Sequence, residues 1–96
     1  MTTKEEILKA LERDKPELQK QFKVRKMALF GSYARGEQRA DSDVDILVEV
    51  DPSVGLEFVT LAERIEKLLG LGVDLVSSRA VTPEAMEFIE SELIYV

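Results

Sequence analysis

No cysteine and no histidine occur anywhere in the 96 residues. The first absence excludes disulfides and thiolate metal sites, and the second removes the commonest general base and the imidazole ligands of zinc. Any metal this chain holds must therefore be bound through oxygen. Asparagine is missing too, glutamine is scarce and glutamate abundant, a composition reported for thermophile proteins. No apolar run approaches the length that spans a bilayer, and the polar start Met1-Thr2-Thr3-Lys4-Glu5-Glu6 does not read as a signal peptide. The expected location is cytoplasmic, with no membrane contact. A basic stripe is also lacking. The net charge of −6 argues against a grip on extended nucleic acid through many phosphate contacts, although a local basic cluster can still hold one nucleotide.

What is present is a globular balance, with 45% apolar and 33% charged residues and no sign of a disordered tail or a dividing linker. The length suits one modest core, so residues 1–96 are expected to form a single domain. Thr3 followed by Glu6 is a capping-box pattern, and Ile7, Leu8 and Leu11 recur at helical spacing, which predicts a first helix from about Lys4 to Asp14. Pro16 is expected to interrupt it, with a short helical turn around Glu17 to Gln21. Lys26 to Phe30 reads as a buried strand ending at Gly31, and Ser32 is placed to cap a short helix through Arg35. Val44 to Val50 is the clearest strand of the chain, closed by the turn Asp51-Pro52-Ser53. Phe58, Leu61, Ala62, Ile65, Leu68 and Leu69 form one helical stripe that ends at Gly70, and Val73 to Val76 reads as a short third strand. Thr82 and Pro83 then open a last helix carrying Ala85, Met86, Phe88, Ile89 and Leu93. The expected class is α/β (α+β), a short mixed sheet of three or more strands flanked by helices.

The chemistry concentrates in Gly31-Ser32-Tyr33-Ala34-Arg35-Gly36 and the following Ser42-Asp43-Val44-Asp45. Asp43 and Asp45 stand on alternate positions, so strand geometry sends both carboxylates to one face while Val44, Ile46, Val48 and Val50 point to the other. Two acids on one face repel, and a hard divalent cation with oxygen ligands relieves the repulsion. Asp74 lies in the middle of the third strand, where a lone carboxylate is costly unless it is at a surface or paired. If that strand lies beside the second, Asp74 faces the same pocket. Three carboxylates can then hold Mg²⁺, with triphosphate oxygens completing the ligands. Gly31 and Ser32 at a strand-to-helix turn can clamp phosphate through free N–H groups and a hydroxyl, or can be ordinary turn chemistry. Arg35 is a candidate phosphate contact, Arg39 and Arg79 weaker ones, and each can equally be a solvated surface cation.

The spacing of Gly31-Ser32, Arg35-Gly36, Ser42-Asp43, Asp45 and Val48 resembles the signature of minimal nucleotidyltransferases (MNT) of the DNA polymerase β superfamily, proteins often encoded beside HEPN-domain toxins. The resemblance implies the palm-like nucleotidyltransferase fold. It further implies that Gly31 and Ser32 bind the nucleoside triphosphate and that Asp43 and Asp45 bind metal, two Mg²⁺ ions in the two-metal form. Asp74 matches the third acid that completes the site and helps deprotonate the acceptor hydroxyl. The implied reaction moves a nucleoside monophosphate, AMP from ATP, to a HEPN toxin, which makes the chain an antitoxin. After the last helix no residues remain for an acceptor-binding domain, so the acceptor surface is expected on another molecule, and an oligomer is compatible with the sequence. Two other readings stay open: a module that neutralises a partner by contact alone, for which the apolar end Leu93, Ile94, Tyr95 and Val96 suits docking as well as core packing, and nucleotide transfer to RNA or a small molecule.

Overall fold

The computed structural model describes residues 2–96; Met1, the first residue of the expected domain, lies outside the described residues. Thr3 caps α1 (Lys4–Phe22) by accepting from the Glu6 N–H at 3.2 Å, and its own hydroxyl donates to the Glu6 carboxylate. The capping box is thus present, closed onto the Thr3 hydroxyl. The expected break at Pro16 does not occur, because α1 runs straight through it. Proline inside a helix removes a hydrogen bond and costs about 3 kcal/mol. Here the turn beyond it is pinned by Leu18, which is fully buried with Ile7 and Leu11, and a buried leucine contributes about 1.5–3 kcal/mol.

β1 (Val24–Phe30) starts earlier than the pattern suggested, because a register shift between Val24 and Lys26 lets Val24 pair with Val50 across the bulge. It leads into α2 (Gly31–Arg35), whose N-cap is Phe30 with no side-chain cap bond. Ser32 therefore sits inside the first turn and does not cap it. β2 (Val44–Val50) returns antiparallel to β1, and α3 (Glu57–Leu69) follows, closed by Gly70 in the left-handed conformation. The crossover through α3 delivers β3 (Val73–Ser77) parallel to β2, as a parallel pair requires. After a 3₁₀ turn at Ser78–Ala80, Thr82 caps α4 (Pro83–Ile89) by accepting from the Ala85 N–H. A second 3₁₀ turn, Glu90–Glu92, replaces the expected final turn of this helix, and Leu93 lies beyond it. The chain ends in a strand the periodicity did not reveal, β4 (Ile94–Tyr95), antiparallel to β1.

The four-stranded mixed sheet has the order β3-β2-β1-β4. Met27 pairs with Val48 and Leu29 with Ile46, so these residues share the face that meets Ile7, Leu11 and Leu18 of α1 and Leu61 and Ile65 of α3 in one buried cluster. The opposite face carries Asp45, Leu47 and Glu49 along β2. Among the described residues no helix is long and apolar enough to cross a membrane.

Candidate active site

The site forms where β1 hands over to α2 beside the start of β2. Phe30 pairs with Asp45, which places the next residue, Gly31, against the Asp45 carboxylate. Gly31 has φ +78°, a left-handed conformation that favours glycine, and a Cβ there would run into the Asp45 carboxylate oxygen. One position thus requires glycine for two independent reasons.

Parallel pairing of β2 with β3 sets Asp45 directly opposite Asp74, so the expected neighbourhood of these acids is realised. Asp43, just ahead of β2, is held by the extension of that pairing: the Val44 N–H donates to the Gly72 carbonyl at 2.8 Å. A Cβ on Gly72 would lie 2.5 Å from Asp43 Oδ1, so a second glycine makes room for a second carboxylate. Asp45 is half-buried, whereas Asp43 and Asp74 are exposed. The burial of Asp45 pushes its carboxyl up to about 6; the charges of Asp74 and Asp43 add to the rise, Arg35 opposes it, and a hydrogen bond with Asp74 contributes last.

Among the described residues, no three acidic, histidine or cysteine side chains are gathered closely enough to hold a metal as they stand. The donor chemistry nevertheless fits one. Asp43, Asp45 and Asp74 offer only oxygen, on one sheet rim, and the central carboxylate is held in a setting that disfavours its charge until a cation arrives. An exposed aspartate on an edge strand, the plain alternative for Asp74, describes its solvent contact but not its position opposite Asp45.

The phosphate-binding candidates are less free than the sequence suggested. The Gly31 N–H donates to Glu92 Oε1 at 3.1 Å, and Arg35 Nη1 reaches Glu92 Oε2 at 2.9 Å. Arg35 Nε also pairs with Glu37 at 3.1 Å, and these carboxylates, Glu92 foremost, hold the guanidinium above its ordinary pKa. Ser32 is half-buried in the same turn, while Arg39 and Arg79 are exposed. Glu92 was invisible in the sequence, since it lies 57 positions from Arg35 in an acidic stretch that reads as a solvated surface. Gly72 was equally unmarked.

Residues 5–96 match the nucleotidyltransferase domain family. Protein adenylyltransferase MntA of Thermococcus cleftensis is 46% identical over 98 residues, covering 100% of this chain and 98% of that protein. Among solved structures, one assigned to a minimal nucleotidyltransferase superposes with a TM-score of 0.83 at 33% identity, covering 97% of this chain and 95% of the other. The complex of tri-AMPylated Shewanella oneidensis HEPN toxin with MNT antitoxin gives 0.59 at 25% identity, over 96% of this chain and 66% of the matched one.

Proposed function

The chain belongs to the nucleotidyltransferase domain family, and from that premise we propose that it is a Mg²⁺-dependent protein adenylyltransferase that transfers AMP from ATP to a hydroxyl of a HEPN-type toxin and thereby acts as its antitoxin. The observation that carries this reading is the placement of Asp45 against Gly31 on one side and opposite Asp74 on the other. That arrangement puts oxygen-only donors of the kind a hard cation takes next to a turn with a left-handed glycine. The 46% identity to a protein adenylyltransferase supports AMP as the group moved, and the likeness to an antitoxin bound to an AMPylated HEPN toxin supports the acceptor.

Asp43, Asp45 and Asp74 would hold the cation, which when bound neutralises the triphosphate and stabilises the attacking and leaving oxygens. The Gly31 N–H, the Ser32 hydroxyl and the Arg35 guanidinium orient the triphosphate oxygens. The acceptor oxygen forms a bond to the α-phosphorus as the bond to the bridging oxygen of pyrophosphate breaks. An Asp74 carboxylate oxygen, exposed at the sheet edge, takes the acceptor's proton. The resemblance to minimal nucleotidyltransferases supports this role for Asp74, and the chain has no histidine to compete for it.

A second reading is neutralisation by contact alone, and it rests on Phe88 and Tyr95, which are 82% and 60% exposed. One experiment separates the two. The chain and its partner are combined with ATP and Mg²⁺, and the partner's mass is measured for the parent and for the Asp43→Asn/Asp45→Asn double variant. A gain of one or more AMP units with the parent and none with a variant that still binds supports transfer. Full protection by the variant with no mass change on the partner overturns it and leaves docking as the function. Label from ATP that lands on RNA or a small molecule instead overturns the protein acceptor.

A further inference from the structure

Glu92 holds the two groups that the nucleotide reading assigns to phosphate. Its carboxylate accepts from the Gly31 N–H at 3.1 Å and from Arg35 Nη1 at 2.9 Å, and its side chain is only 20% exposed. A backbone N–H has a single proton to donate, so Glu92 and a phosphate oxygen cannot both be satisfied by Gly31. The two are also of like charge, and the Asp45 carboxylate already lies against the same glycine. Resting on the nucleotide reading above, we propose that Glu92 is a displaceable latch: the triphosphate competes with its carboxylate for Gly31 and Arg35, and nucleotide binding expels it and loosens the segment 83–92.

The anchoring of the C-terminal region shows which part is released. β4 has attachments of its own, through the pairs Ala28 with Tyr95 and Leu29 with Ile94, through the Val96 N–H donating to the Met27 carbonyl at 3.0 Å, and through Lys15 Nζ donating to the Val96 carbonyl at 2.6 Å. α4 and the 3₁₀ turn after it contain no fully buried residue, and α4 meets the body through the half-buried Met86 and Ile89 alone. Beyond the cap at Thr82, the hydrogen bonds that tie this stretch to the body of the protein among the described residues are those the Glu92 carboxylate accepts from Gly31 and Arg35. Expelling it frees the stretch between a fixed β3 and a fixed β4, and with it Phe88, which is 82% exposed on α4. Nucleotide occupancy is in this way coupled to the placement of an exposed aromatic side chain about 60 positions away in sequence from the glycine that binds the nucleotide.

The test is amide hydrogen exchange of the full chain, with Mg²⁺ alone and with Mg²⁺ and ATP, combined with calorimetry on the parent and on Glu92→Gln. ATP with Mg²⁺ is expected to speed exchange across 83–92 in the parent while leaving β4 protected, and Mg²⁺ alone to leave it unchanged. Glu92→Gln is expected to show fast exchange over 83–92 without nucleotide and to bind ATP more tightly by roughly 3–10-fold, the range set by loss of one partly exposed ion pair and its charged hydrogen bond. ATP that binds the parent without altering exchange over 83–92 overturns the latch alone, even if the variant binds more tightly, because removal of a nearby negative charge would suffice for that. ATP that binds neither protein overturns the nucleotide reading and the latch together. The measurement on the parent decides the matter even if the variant fails to fold.

Discussion

Gly31 and Asp45 constrain each other more tightly than either does alone. Gly31→Ala must place a Cβ at φ +78° where the Asp45 carboxylate already lies, so it is expected to lower stability by about 1–2 kcal/mol for the backbone, with a further cost for displacing Asp45. Thermal denaturation and transfer assays on this variant should both fall; a variant with unaltered midpoint and activity would show that the glycine is not held against the acid. Asp45 itself makes a pH prediction. Its folded-state carboxyl is raised to about 6 from 3.8, so the folded protein keeps the proton where the unfolded chain has lost it. Stability of the protein in chelator is expected to fall as pH rises from about 4 towards about 6, and Asp45→Asn should flatten that segment of the curve and hold or raise the midpoint. Asp51 acts in the opposite sense. The Ser53 N–H and hydroxyl, with Arg25 adding to them, hold it at about 2, so its stabilising contribution is present above 3.8 and is lost as pH falls towards 2. Melting curves from pH 2 to 8 with and without Asp45→Asn check both slopes.

The elements show where local pattern was sufficient and where tertiary packing overruled it. β2 and α3 were legible because alternation and a helical stripe each match one face to one core, and their ends carry strong punctuation in Asp51-Pro52-Ser53 and Gly70. Pro16 gave the wrong break because its cost is local whereas the burial of Leu18 depends on α3 and the sheet, which no window along α1 contains. Leu18→Ala is accordingly expected to cost about 2–5 kcal/mol by urea denaturation, since it empties a fully buried position and removes what sustains the helix beyond the proline. A loss under about 1 kcal/mol would mean that the second half of α1 is held by something else. β4 escaped notice for a different reason: two residues have no period, and Ile94 and Tyr95 become a strand only because β1 offers them an edge.

At the scale of the whole molecule, the site is a product of topology. The parallel crossover through α3 is what sets Asp74 opposite Asp45, and the antiparallel turn from β1 is what sets Gly31 beside it. The proposed pair of Asp43 and Asp45 rests on a one-residue spacing at the head of β2, and the place of Asp74 opposite Asp45 was legible from an acid within a short apolar strand, although β3 proves to be an edge strand with no buried residue and Asp74 is exposed. Glu92 and Gly72 were not legible, because their roles exist only across contacts between segments distant in sequence. Whether these acids support nucleotidyl transfer is decided by running the reaction with the partner in parallel on ATP labelled in the α-phosphate and in the γ-phosphate. The acceptor is expected to gain label from the α-position only, with the γ-label leaving in pyrophosphate, and Asp43→Asn and Asp45→Asn are each expected to abolish the gain while keeping the fold. Transfer of the γ-label, or α-label transfer that survives both substitutions, would contradict nucleotidyl transfer by these acids.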